Sequence, residues 1–173
     1  PNLKGEYTLT LHTPLDWKAL ANGPLIKETE NEDRRSFFFG ETKPVSTYIL
    51  AFAAGKFETI TKSRNGYLMT MFHRETDTLK VARNIDAIFE LHGDAIRWME
   101  NYTGIKYPFQ KFDFALIPGF QYGGMEHPGA IFYKDASLFL ESSATKNQYL
   151  GRAGLIAHET AHMWFGDLVT MNW

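Results

Sequence analysis

The sequence predicts an α+β fold in two portions, an all-β portion over residues 1–75 and a helix-bearing portion over residues 76–173. Three observations lead there. Period-two alternation dominates the first stretch, as in "EYTLTLH", where Tyr7, Leu9 and Leu11 oppose Thr8, Thr10 and His12. From about Thr76 the apolar period lengthens to that of a helix. Near the end, "LIAHETAHMWFG" sets two histidines four apart inside an apolar helical pattern.

Taken in order, "KETENEDRRS" is charged and aperiodic, which suits a solvated loop or hairpin tip. "STYILAFAAGKFETI" and "GYLMTMFHRE" are β-rich. A long helix follows, with Ile85, Ile88, Phe89, Ile96, Met99 and Tyr102 on one stripe, ending near Gly104 and Pro108. "KFDFALIP" reads as a strand and "GAIFY" as another, separated by the glycine-rich "GFQYGGMEHPG". A final helix is expected over 147–165, with Leu150, Ala153, Ala157, Ala161 and Trp164 at three- and four-residue steps and Gly166 as its stop. Leu155, Ile156, Met163 and Phe165 make that helix apolar nearly all round, so it is expected to be buried. His12 and His73 fall in strands and His92 on the long helix, where surface or hydrogen-bonded core roles suit them.

Composition excludes several classes. With 44% hydrophobic and 15% aromatic residues, the chain can bury a core. A net charge of −2 gives no electrostatic case for nucleic acid or an anionic membrane. No apolar run approaches the roughly 18 residues of a membrane span, and no signal peptide is visible. The absence of cysteine removes disulfide and thiolate chemistry and leaves the compartment open. Since Pro1 is not a natural start, a fragment is expected.

The chemistry concentrates at His158, Glu159 and His162. Residues four apart on a helix stack on one face, so two imidazoles can converge on one Zn2+ ion. Glu159 lies about 100 degrees round from His158, beside such a metal, where it can take a proton from water. Two histidines and a glutamate on a solvated helix face would spell the same five letters, but buried polar groups need partners, and a metal satisfies both histidines at once. A catalytic zinc needs a third protein ligand. The metzincin pattern is excluded, because Phe165 and Leu168 occupy the positions of its glycine and third histidine.

In "GGMEHPG", Gly123 and Gly124 remove side chains where another backbone comes close, and an exposed sheet edge there could pair with an extended peptide. Glu126 is its one carboxylate, suited to a free α-ammonium. Turns round a strand and a surface acid are the plainer alternative.

Together, "GGMEHPG" and "HETAHMWFGDLVTMNW" resemble the zinc aminopeptidase family that includes aminopeptidase N and leukotriene-type epoxide hydrolases. Its members carry Gly-x-Met-Glu-Asn and then His-Glu-x-x-His-x-Trp-x-Gly. "ALANGP" and "STYILAFAAGKFE" look like the end of that family's N-terminal β-domain, and the helix from about residue 80 like the start of its thermolysin-like catalytic domain. The resemblance implies His158 and His162 as zinc ligands, Glu159 as general base and Glu126 as anchor for the free N-terminus of a peptide substrate. It implies that Gly123, Gly124 and Met125 line the peptide-binding edge, with Gln121 and Tyr122 bordering the first side-chain pocket. Trp164, Gly166 and Trp173 match packing positions. His127 departs from the usual asparagine, which puts substrate preference and pH profile in question. The family's third ligand, a glutamate, and its oxyanion-stabilising tyrosine are expected beyond Trp173, so this stretch alone is expected to be inactive. The implied function is removal of the N-terminal residue from peptides. An inactive homologue serving as a binding module, or another zinc hydrolase such as an epoxide hydrolase or endopeptidase, remain as alternatives.

Overall fold

A computed structural model describes residues 2–172. The first part of the chain is built from short strands: β1 (Lys4–Gly5), β2 (Leu9–Thr13), β3 (Lys18–Ala21), β4 (Leu25–Glu30), β5 (Arg35–Phe39), β6 (Val45–Ser46) and β7 (Phe52–Gly55), with a 3-10 turn at Thr47–Ile49. They form a three-stranded sheet ordered β2-β5-β4 and the pairs β3-β7 and β1-β6. The period-two pattern does its work here, turning Leu9 and Leu11 onto Phe37, Phe39, Ala19 and Ala21 while Thr10 and His12 face out. His12 Nδ1 meets Ser36 Oγ at 2.8 Å.

The charged stretch is mostly strand. Only residues 31–34 form the tip, closed by Asn31 Oδ1 accepting from the amides of Asp33 and Arg34. Either side of it belongs to β4 and β5, where Arg35 pairs with Glu28 and Glu30 across the ladder. Cross-strand ion pairing lets a run of charges occupy a hairpin, which hydropathy alone cannot register.

The second sheet contains β8 (Glu58–Arg64), β9 (Tyr67–His73), β10 (Phe114–Ile117), β11 (Gly124–Met125) and β12 (Ile131–Lys134), in the order β11-β12-β10-β9-β8. Asn65 and Gly66, at φ 51° and 85°, make the two-residue turn between β8 and β9. β9 pairs in parallel with β10, Phe114 opposite Met71, so this sheet runs across the change of pattern at residues 75/76. The β8–β9 hairpin therefore lies in one sheet with the strands of the later portion.

Helices α1 (Thr78–Thr103), α2 (Asp135–Leu138) and α3 (Lys146–His162) complete the chain. Asp77 caps α1 by accepting from the amides of Leu79 and Lys80, and Gly104 ends it at φ 70°. Ile85, Ile88, Phe89, Ile96 and Met99 are buried, whereas Tyr102 is 68% exposed and stacks on Trp98. Three residues advance about 300 degrees, so Tyr102 lies some 60 degrees beyond Met99 and off the stripe. A core of Met69, Met71, Phe89, Phe112, Phe114, Ile156, Met163 and Trp164 joins α1 and α3 to the sheet. Each such side chain contributes about 1.5 to 3 kcal/mol by leaving water.

Helix α3 starts at a capping box between Thr145 and Gln148 and stops at His162, three residues short of the expected end. It is not buried all round: Leu150 is 60% exposed and Ala157 also faces out. The face turned inward carries Arg152, Ile156, Glu159 and Thr160. Two of these are ionisable, and tertiary partners rather than apolarity select that face. Arg152 Nη1 donates to Asn84 Oδ1 at 2.8 Å and to the Leu138 carbonyl at 3.2 Å. Among the described residues no helix is long and apolar enough to cross a membrane.

Candidate metal centre and its edge strand

The last turn of α3 brings His158 and His162 together, with Nε2 atoms 3.1 Å apart and rings at 89°. His162 Nδ1 lies 3.0 Å from the Phe165 carbonyl. A carbonyl only accepts, so Nδ1 carries the proton and Nε2, facing His158 Nε2, is the nitrogen with a lone pair to offer a cation. Two nitrogens on one tetrahedral zinc, each about 2.0 to 2.1 Å from it, stand roughly 3.3 Å apart. The observed pair nearly has that spacing. The helix end is held by Met163 in the core and by Trp164, whose indole Nε1 donates to the Ile105 carbonyl at 3.0 Å.

Glu159 is only 4% exposed, where the neighbouring His158 is exposed. Burial, and then the charge of Glu126, raise the pKa of Glu159 to about 7. One side-chain oxygen each from Glu126 and Glu159 and one nitrogen of His162 lie within 4.8 Å of one another. Asp167, which the sequence did not single out, is fully buried nearby with neither carboxylate oxygen hydrogen-bonded. Burial, followed by Glu126, pushes its pKa to about 8, against the pull of Lys4. Glu126, Glu159 and Asp167 are thus electrostatically coupled, and the first two lie close enough to His162 for the three to hold a metal ion.

Strand β11 borders Glu159. It pairs antiparallel with β12, Gly124 opposite Tyr133 and Met125 opposite Phe132, and ends the sheet. Among the described residues its outer edge is unpaired, which leaves main-chain groups for an extended peptide. Gly124 is required by Glu159: a Cβ there would stand 2.4 Å from Glu159 Oε1. The close approach is therefore to a side chain of α3, where the sequence suggested another backbone. A Cβ at Gly123 would meet only Leu155, at 3.4 Å.

Glu126 follows directly and is half-buried. The Tyr48 hydroxyl donates to its Oε1 at 3.3 Å, and burial together with Glu126 pushes the phenol pKa up to about 12. Nothing in the local sequence marks Tyr48, because its partner is 78 residues away. Gln121 and Tyr122 are exposed in the loop before β11, with Tyr122 edge-on to Phe120. His127 is 9% exposed, with its ring against Phe132 and Nδ1 3.2 Å from the Ile49 carbonyl. Its ring nitrogen serves the packing against the early strands, and burial lowers its pKa. His92 is fully buried on α1: Nδ1 lies 2.8 Å from the Ile88 carbonyl and Nε2 3.0 Å from the Tyr133 hydroxyl. His73 is also buried, edge-on to Phe139.

The helix that bears the paired imidazoles and the buried carboxyl is thus set against an open strand edge. Residues 88–173 match the Peptidase family M1 domain. The chain is 35% identical over 180 residues to glutamyl aminopeptidase of Sus scrofa, covering 100% of this chain and 18% of the relative. It is 33% identical to aminopeptidase N of Streptomyces lividans, covering 20% of that protein, and 33% identical to leucyl aminopeptidase of Saccharolobus solfataricus, covering 22%. The chain belongs to peptidase family M1. It spans about a fifth of the length of these curated relatives.

Proposed function

We propose that the protein to which this chain belongs is a zinc aminopeptidase that hydrolyses the first peptide bond of peptides with a free N-terminus. The supporting observation is the meeting of the His158–His162 pair, buried Glu159 and half-buried Glu126 at the open edge of β11. His158 and His162 would hold zinc together with a further ligand outside the described residues, within a thermolysin-like catalytic domain whose β-rich neighbour precedes it. Bound zinc supplies Lewis acidity and makes water more acidic.

The chain's own residues do the rest. Glu159 takes the proton from the attacking water and returns it to the leaving amine, a role favoured by a carboxyl whose proton affinity burial has raised. The free main-chain groups of β11 align the peptide as an added strand. Glu126 pairs with the α-ammonium and so fixes which bond reaches Glu159. Glu126 and Glu159 could themselves ligate a metal with His162. The histidine pair is the better donor set, because Tyr48 already engages Glu126 Oε1 and two neutral imidazoles suit zinc.

The test uses the intact protein and peptides with free or acetylated N-termini. Glu126→Ala should lower kcat/KM for free-amine peptides about tenfold to a hundredfold, and acetylation should cost the wild type a similar factor. The two losses should not add, since each removes half of one pair. Equal rates on free and acetylated peptides in the wild type would exclude an aminopeptidase.

A further inference from the structure

We infer that Tyr48 positions the Glu126 carboxylate and forms the second wall of the amine pocket, so that the early strands help to select a free N-terminus. This rests on the assignment of Glu126 to the substrate's ammonium group. The phenol has one proton and Glu126, when ionised, only accepts, so the 3.3 Å contact runs from Tyr48 to Oε1. Oε2 is left for another donor. The phenol oxygen keeps lone pairs free, and an ammonium group with three protons can reach Oε2 and that oxygen together.

The contact is held from both sides. Tyr48 lies in the Thr47–Ile49 turn, and the backbone after it is locked to the backbone after Glu126. Buried Asn22 donates to the Ile49 carbonyl at 3.0 Å and to the Pro128 carbonyl at 2.9 Å, and accepts from the Ala51 amide at 2.7 Å. His127 Nδ1 donates to the same Ile49 carbonyl at 3.2 Å. Asn22 and His127 therefore tie the turn to the segment that follows Glu126, with Tyr48 on one side and Glu126 on the other. Tyr48 remains 50% exposed, so a ligand can reach its ring and hydroxyl.

The experiment measures affinities of two metal-directed inhibitors for the intact zinc-loaded protein: an amino-acid hydroxamate and the same hydroxamate without its α-amine. Tyr48→Phe keeps the ring and removes the hydroxyl. It should weaken the amino hydroxamate about threefold to tenfold and leave the des-amino compound within about twofold. In a Glu126→Gln background its effect should shrink, because part of the hydroxyl's action runs through that carboxylate. Equal weakening of both inhibitors would make Tyr48 a shape-giving residue only and overturn the proposal. Full additivity with Glu126→Gln would overturn it as well. If Glu126→Gln itself leaves the amino hydroxamate unaffected, the ammonium assignment fails first and Tyr48 with it. A Glu126 effect without a Tyr48 effect rejects Tyr48 alone.

Discussion

Gly124 and Glu159 share one space: the strand can lie against α3 only because residue 124 has no Cβ, which would stand 2.4 Å from Glu159 Oε1 and 2.6 Å from its Cδ. Glu159 is thereby pinned between helix and edge strand. Gly124→Ala should push Glu159 or β11 aside, with a loss of about 1 to 3 kcal/mol in stability and of at least about tenfold in turnover. Thermal melting and steady-state kinetics of the intact variant check this, and unchanged kcat would mean that Glu159 is free to move without consequence.

The two histidines should hold metal and the glutamate should not. His158→Ala and His162→Ala are each expected to lower bound zinc to well below one per chain in the intact protein, whereas Glu159→Gln should retain the metal and lose turnover. Elemental analysis after dialysis decides it, and full metal content in His158→Ala would remove that residue from the ligand set.

Asn84 is the hub of the buried polar contacts beneath α3. Its Nδ2 donates to the carbonyls of Lys80 and Leu140, and its Oδ1 accepts from Arg152 and the Leu140 amide. Asn84→Ala leaves the buried Leu140 amide and carbonyl without this partner and removes one of the two hydrogen bonds of Arg152, so a loss of about 2 to 4 kcal/mol is expected. Denaturant unfolding measures it. A change below about 1 kcal/mol would show that water replaces the amide.

His92 gives a signed pH dependence. Burial lowers its folded-state pKa from 6.5 to about 4, so the unfolded chain takes up the proton first. Its contribution is constant above about pH 6.5, and stability falls as pH drops from there to about 4, by roughly 3 kcal/mol at most. His92→Gln should be less stable at neutral pH and show a flatter profile through that window. Equal slopes for wild type and variant would assign the acid sensitivity to other groups.

The sequence by itself determined the features whose partners are near in the chain. Helical geometry alone brings His158 to His162, since four residues return the backbone to the same face. The alternation in β2, the stripe on α1 and the turn signals of the glycine-rich stretch were legible for the same reason, each being a period or a conformation local to a few residues. Tertiary structure decided what depends on distant segments. It showed that the charged run is a hairpin held by ion pairs, that α3 turns Glu159 and Arg152 inward while Leu150 stays out, and that His127 faces the Ile49 carbonyl. It also brought Tyr48 across 78 positions to Glu126 and closed Glu159 against Gly124. Such contacts leave no periodic trace, because they arise only when one sheet orders strands that lie far apart in sequence and a helix packs across them, so each side chain's role is set by what the fold places opposite it.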